Sequence, residues 1–160
     1  MYGYEMARYF EREDLREVCP IEQGSLYTYL RNLENRQLVS WHEERVGLRP
    51  PRKRFALTEA GVALVDHWLR EPVERLREVR FELLVKLYVL HAIDAEAERA
   101  LVREQLAVCG SYRERAERRV EAASDDFSRL VARSKLSAAE ATIDWLRGYL
   151  QTLSAPALTP

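Results

Sequence analysis

Val39-Ser40-Trp41-His42-Glu43-Glu44-Arg45-Val46-Gly47-Leu48-Arg49-Pro50-Pro51-Arg52-Lys53-Arg54-Phe55-Ala56-Leu57-Thr58 is the segment where the pattern of the chain changes. Residues 39–43 alternate apolar and polar side chains with period two, and so do residues 53–57, as half-buried strands do. The Gly- and Pro-containing stretch between them predicts an antiparallel β-hairpin. From Arg45 to Arg54 there are five cations and no acid, so the hairpin carries a positive tip.

Before the hairpin the period is helical. Residues 3–18 read as one helix, with Gly3, Met6, Ala7 and Phe10 on one face and Cys19-Pro20 as its stop. Residues 22–37 read as a second helix, in which Leu26, Leu30 and Leu33 recur at i, i+4, i+7. After the hairpin, Thr58 stands where an N-cap is expected, ahead of Val62, Leu64, Val65 and Leu69, and Pro72 interrupts or kinks that helix. Phe81–Leu90 is apolar on nearly every side, interrupted only by Glu82 and Lys86, which calls for cover from several directions. Residues 95–122 form a long Arg- and Glu-rich helix with a break at Ser124-Asp125-Asp126. A last helix is expected to open at the capping box Ser137-x-x-Glu140.

The expectation is a mainly α protein: a winged helix-turn-helix, lacking its first helix, over residues 1–70, then an all-helical domain over residues 71–160, for which dimerisation would supply the cover that Phe81–Leu90 needs. With 160 residues, 25 cations, 26 acids and a net charge of −1, the chain is neither a basic nucleic-acid coat nor an acidic tail protein. No apolar run exceeds four residues, so no membrane span is expected. Two distant cysteines give no disulfide framework, and the cytoplasm is the default compartment. Arginine supplies 22 of the 25 cations. That suits bidentate phosphate contacts, and it is also what genome base composition alone produces.

Enzymatic signatures are missing. His42, His67 and His91 fall in separate elements without ligand-spaced neighbours, and there is no phosphate-binding glycine loop or nucleophile motif. No catalytic residue, cofactor or metal is therefore expected. The local charge points to DNA instead. Opposite its leucine stripe, the second helix presents Gln23, Ser25, Tyr27, Thr28 and Arg31, side chains suited to base edges and phosphates. The wing adds Arg49, Arg52, Lys53 and Arg54. Each has a structural alternative: the wing charges protect a sheet edge, Tyr27 packs on the first helix, and Arg31 pairs with Glu34.

Gly3-Tyr4-Glu5-Met6-Ala7, Gly24-Ser25-Leu26-Tyr27 and Leu30-x-x-Leu33-Glu34-x-x-x-Leu38-Val39 resemble PadR-type transcriptional regulators. The same is true of Arg49-Pro50-Pro51-Arg52-Lys53-x-Phe55-x-Leu57-Thr58-Glu59-x-Gly61. Trp68-Leu69-x-x-Pro72 and Arg80-x-Glu82-Leu83-Leu84-x-Lys86-Leu87 look like the start of the larger helical C-terminal domain of one subgroup. The resemblance implies a cytoplasmic homodimer that binds an inverted-repeat operator, usually as a repressor released by a small aromatic or phenolic effector. It implies DNA contacts for Ser25 and Tyr27, a phosphate contact for Tyr4, and wing contacts for Arg49, Arg52 and Lys53. Trp68, Tyr88 and Trp145 are candidates for lining an effector pocket, with core packing the competing role for each. Family members carry a helix before the Gly-Tyr-Glu motif, so roughly 15–20 further residues, about one helix and a turn, are expected upstream. The alternative function is a winged-helix protein–protein adaptor that does not bind DNA.

Overall fold

The computed structural model describes residues 1–45 and 51–154. Two compact units divide the chain, Met1–Leu69 and Arg70–Pro160.

The first unit holds α1 (Gly3–Phe10), α2 (Glu13–Val18), α3 (Gln23–Asn35), β1 (Val39–Glu44), β2 (Arg52–Leu57) and nearly all of α4 (Glu59–Arg70). The strands pair antiparallel, with Val39 opposite Leu57 and Glu44 opposite Arg52. Leu26 and Leu30 of α3, Val39 of β1 and Phe55 of β2 form the core. Met6, Phe10, Ile21, Leu33 and Trp41 pack against it. The side chains of one α3 stripe and of alternate strand positions thus meet in one layer, as their periods require.

The single helix expected over residues 3–18 is two helices. Arg12 is extended (φ −62°, ψ 137°) and starts α2 instead of continuing α1. Its guanidinium lies 5.3 Å from the centre of the Tyr9 ring, so the break is accompanied by a cation–π contact. Met1 and Tyr2 extend the sheet on the free edge of β2. The Met1 ammonium donates to the Phe55 carbonyl at 2.9 Å, Phe55 N–H donates to the Met1 carbonyl at 2.9 Å, and Tyr2 bridges Arg54.

A knot of backbone contacts joins the end of α3 to both flanks of the hairpin. Gln37 closes α3 in the left-handed region at φ 58°. Its N–H bonds the Glu34 carbonyl, and Leu38 N–H reaches back to Leu33, the double bond of a Schellman turn. The Gln37 carbonyl accepts from the Thr58 hydroxyl at 2.7 Å, and that hydroxyl oxygen accepts from Gly61 N–H at 3.0 Å, capping α4. The result is a winged helix-turn-helix.

The second unit contains a 3-10 helix (Leu76–Arg80), α5 (Glu82–Ile93), α6 (Ala95–Glu121) and α7 (Asp126–Ser154). Leu83, Leu87 and Leu90 of α5, Leu101, Val102 and Cys109 of α6, and Ala139, Ile143 and Leu146 of α7 are buried. Lys86, one of the two charges in the apolar run, is itself buried at 2% exposure. Its ammonium donates to the Glu71 carbonyl at 2.8 Å and pairs with Glu82 at 3.0 Å. The buried Gln105 amide clamps the Val73 backbone at both N–H and carbonyl. Tyr149 donates a hydrogen bond to the buried Glu98 carboxylate, and burial together with that carboxylate raises its phenol above the ordinary value.

The capping box at Ser137 is not a helix start. α7 begins at Asp126, and Asp125 caps it by accepting from Ser128 N–H and from the Ser128 hydroxyl. Those bonds hold the Asp125 carboxyl below the usual carboxylate range. Among the described residues no helix is long and apolar enough to cross a membrane, and no group of three or more His, Cys, Asp or Glu could hold a metal ion.

Candidate nucleic-acid interface

One cleft of about 630 Å³ in the first unit is built where three elements meet: the start of α1, the outer face of α3 and strand β2. Tyr4, Tyr27, Arg31, Arg52 and Lys53 all line it. These residues are far apart in sequence. The first turn of α1 lies close against α3 at Gly3, where a β-carbon would stand 2.8 Å from the Tyr27 ring. One edge of Tyr27 packs against Gly3 of α1, and the residue, 45% exposed overall, also lines the cleft.

The cations are held in place by rings. The Arg52 guanidinium lies 5.2 Å from the centre of the Tyr4 ring, and the Lys53 ammonium lies 3.5 Å from that of Trp41. Tyr4 is stacked on Tyr2 at 5.6 Å with the planes 12° apart. Trp41 is fixed in turn by its indole N–H, which donates to Glu34 at 2.6 Å. Such contacts orient a charge without neutralising it, so Arg52 and Lys53 stay available to an anion. Arg54 is not among the residues that line the cleft; it is exposed and pairs with the half-buried Glu44 at 3.4 Å. Partial desolvation, then the Glu44 carboxylate, raise the Tyr2 phenol above its ordinary value.

Two other expected contacts, Ser25 and Thr28, are placed on α3 but outside the cleft lining. Ser25 is half-buried, and Thr28 is exposed with its hydroxyl 3.4 Å from the Gly24 carbonyl. Gln23 is the first residue of α3. Arg49 lies outside the described residues. Tyr2, Trp41 and Glu34 were not expected to shape the site. The apolar/polar alternation of β1 did place Trp41 on the core side, but the contact of Tyr2 depends on a strand pairing that no local pattern announces. The effector candidates lie on three helices: Trp68 on α4 and Tyr88 on α5 are half-buried, and Trp145 on α7 is exposed.

Residues 1–67 match the profile of the transcriptional regulator PadR-like family, and residues 79–154 match that of the virulence activator alpha C-terminal region. Among solved structures the chain is similar to Bacillus subtilis PadR in complex with operator DNA (19% identity, TM-score 0.45, covering 95% of this chain and 90% of that one). It is also similar to the same protein in complex with p-coumaric acid (20%, 0.43, 97% and 91%). A third similar structure is a PadR-like regulator from Bacillus cereus (18%, 0.43, 96% and 90%). No curated protein matches. With its winged first unit and helical second unit both matched by family profiles, the chain belongs to the PadR-like family of transcriptional regulators.

Proposed function

We propose that the protein is a cytoplasmic, homodimeric DNA-binding regulator that represses by occupying an inverted-repeat operator, and that a small aromatic or phenolic ligand releases it. The observation that carries the DNA reading is the convergence of Tyr4, Tyr27, Arg31, Arg52 and Lys53 on one cleft in a chain whose net charge is only −1. A locally positive, aromatic-backed surface on a neutral protein directs binding to that surface. In this reading α3 enters a major groove with Ser25, Tyr27 and Thr28 facing base edges, Gln23 at its leading end and Arg31 farther along. Tyr4 and Arg52 face the phosphates, and Lys53, Arg54 and Arg49 extend the contact along the wing. Two such helices in a dimer must reach successive grooves about 34 Å apart, which makes an inverted repeat the natural operator. Ligand release requires only that the effector bind better to an arrangement in which that spacing is wrong. Trp68, Tyr88 and Trp145 are its candidate contacts.

The test is footprinting of the protein's own upstream region at a series of salt concentrations. The expected result is protection of an inverted repeat that weakens steeply as salt rises, because phosphate contacts release counterions. Absence of any footprint, with the protein demonstrably folded, refutes the reading and favours an adaptor.

A further inference from the structure

We infer that Glu34 is a positioning residue for DNA binding: it acts through Trp41 to hold the Lys53 ammonium of the wing in place beside α3. The inference rests on the DNA reading proposed above, and it adds to the site a residue whose charge has the wrong sign for a phosphate contact.

Among the described residues that line the cleft, Glu34 is the one acid, beside the cations Arg31, Arg52 and Lys53. A carboxylate on a surface that meets phosphates repels them. Two of those cations could have balanced it. Arg31 stands three residues earlier on α3, within reach on the same helix face, and Lys53 lines the same cleft. Among the described residues neither forms an ion pair with it. Its bond goes instead to the Trp41 indole N–H at 2.6 Å, a short hydrogen bond to a charged acceptor. Lys53 makes the same choice. The strand register sets it directly opposite Glu43, where opposite charges normally pair. Among the described residues that pair is not made either. The ammonium lies 3.5 Å from the centre of the Trp41 ring, its diagonal neighbour on the same face of the hairpin.

Both contacts use one indole, so they form a chain: the carboxylate of α3, the ring of β1, the ammonium of β2. The first link spans the turn at Gln37, and the second spans the hairpin. Trp41 is half-buried and packs against the core of Leu26, Leu30, Val39 and Phe55. Packing sets the depth of the ring, and the carboxylate selects the orientation that points its N–H at α3. Drawing on that proton also makes the ring face more negative and a better seat for a cation. The seat matters because lysine has a flexible four-carbon stem, and ordering it against DNA costs affinity. An ammonium already placed, and not neutralised, has less freedom to lose. Glu34 therefore gains more binding through Lys53 than it loses by repelling phosphate.

The experiment measures binding of the full chain, at low salt, to a duplex of random sequence and to the protein's own upstream region, with circular dichroism as the check on folding. Glu34→Ala removes an acid from the cleft and should nonetheless weaken binding to both by about two- to fivefold, the scale of one exposed cation–π contact. Glu34→Gln keeps an oxygen that accepts from the indole and loses the charge, so it should bind at least as tightly as the parent chain. In a Lys53→Ala background no ammonium is left to seat, and there Glu34→Ala should tighten binding. A merely structural role would weaken binding in both backgrounds. The indole N–H resonance of Trp41, identified by its loss in Trp41→Phe, reads the first link without DNA. It should move upfield in Glu34→Ala and less in Glu34→Gln. Glu34→Ala binding as tightly as the parent chain overturns the inference. So do an equal loss in both backgrounds, weaker binding by Glu34→Gln, and an indole resonance that Glu34→Ala leaves unmoved. Any of these, with an inverted repeat still protected by the parent chain, discards the role of Glu34 and keeps the regulator. A parent chain that binds neither duplex discards the regulator and this role together, and a shifted indole resonance then marks a contact of the fold alone.

Discussion

A β-carbon on Gly61 would stand 2.0 Å from the carbonyl oxygen of Leu38, so the first turn of α4 presses directly on the backbone that leads into β1. This contact explains the short string Thr58-Glu59-x-Gly61. Thr58 caps the helix and ties it to Gln37, and only glycine permits the approach that follows. Backbone cannot yield as a flexible side chain does. Gly61→Ala should therefore destabilise the first unit by about 2–3 kcal/mol, the cost of overpacking a tight contact. Urea unfolding checks this, and a midpoint equal to that of the parent chain would show that α4 can lift away freely.

Gln37 provides the converse case. Its left-handed φ of 58° is uncomfortable for a residue with a β-carbon, and its side chain is exposed. Gln37→Gly should raise stability by about 0.5–1 kcal/mol, since relief of strain outweighs the added freedom of the unfolded chain. A lower melting temperature for this variant would mean that the turn is not strained.

How much of this was legible in the sequence depends on whether a signal is local. The hairpin and the leucine stripe of α3 announce themselves by period. The cap at Thr58 does so by residue type. The break between α1 and α2 does not, because Glu11-Arg12 contains neither glycine nor proline and depends on Arg12 turning extended. Ser137-x-x-Glu140 shows the opposite error: a capping pattern inside a helix is merely a pair of neighbours three residues apart, and the operative cap, Asp125, lies twelve residues earlier. In the candidate site, α3 and the wing were each readable, but their union with Tyr2 and Tyr4 depends on Met1–Phe55 pairing, which is a long-range event.

Lys86 shows where composition misleads. In a run of apolar residues it reads as an exposed exception, yet it is the anchor that ties α5 to the Glu71 carbonyl. Lys86→Met keeps the stem and leaves that carbonyl without this donor, a loss of about 1–2 kcal/mol. Lys86→Ala adds a cavity and should cost about 3–4 kcal/mol. Equal unfolding midpoints for the two variants would show that the stem contributes nothing to packing.

Gly3→Ala separates stability from recognition. The new β-carbon meets the edge of the Tyr27 ring at 2.8 Å, and that ring, being partly exposed, can swing aside. The stability cost should stay within about 1 kcal/mol. The cleft wall would move, however, and operator affinity should fall more than stability does. Comparing melting temperature with gel-shift affinity decides it. Unchanged affinity would place Tyr27 outside the DNA contact.

The wing offers a prediction whose sign is unusual, a gain of binding. Arg54 is engaged by Glu44, whereas Arg52 and Lys53 rest on rings that leave their charge intact. Arg52→Ala and Lys53→Ala should each weaken binding to specific and random DNA alike, and each should reduce the slope of log affinity against log salt by about 1. Arg54→Ala should do less, since its charge is already balanced. Glu44→Gln removes the acid, and an exposed pair of this kind is worth only about 0–1 kcal/mol, so folding should barely change. The freed Arg54 then adds one positive charge to the wing. Binding should tighten at low salt and the slope should steepen by up to about 1, with the advantage fading as the Debye length shortens. If Glu44→Gln binds no better than the parent chain at any salt concentration, Arg54 does not face DNA and the contact surface stops at Arg52 and Lys53.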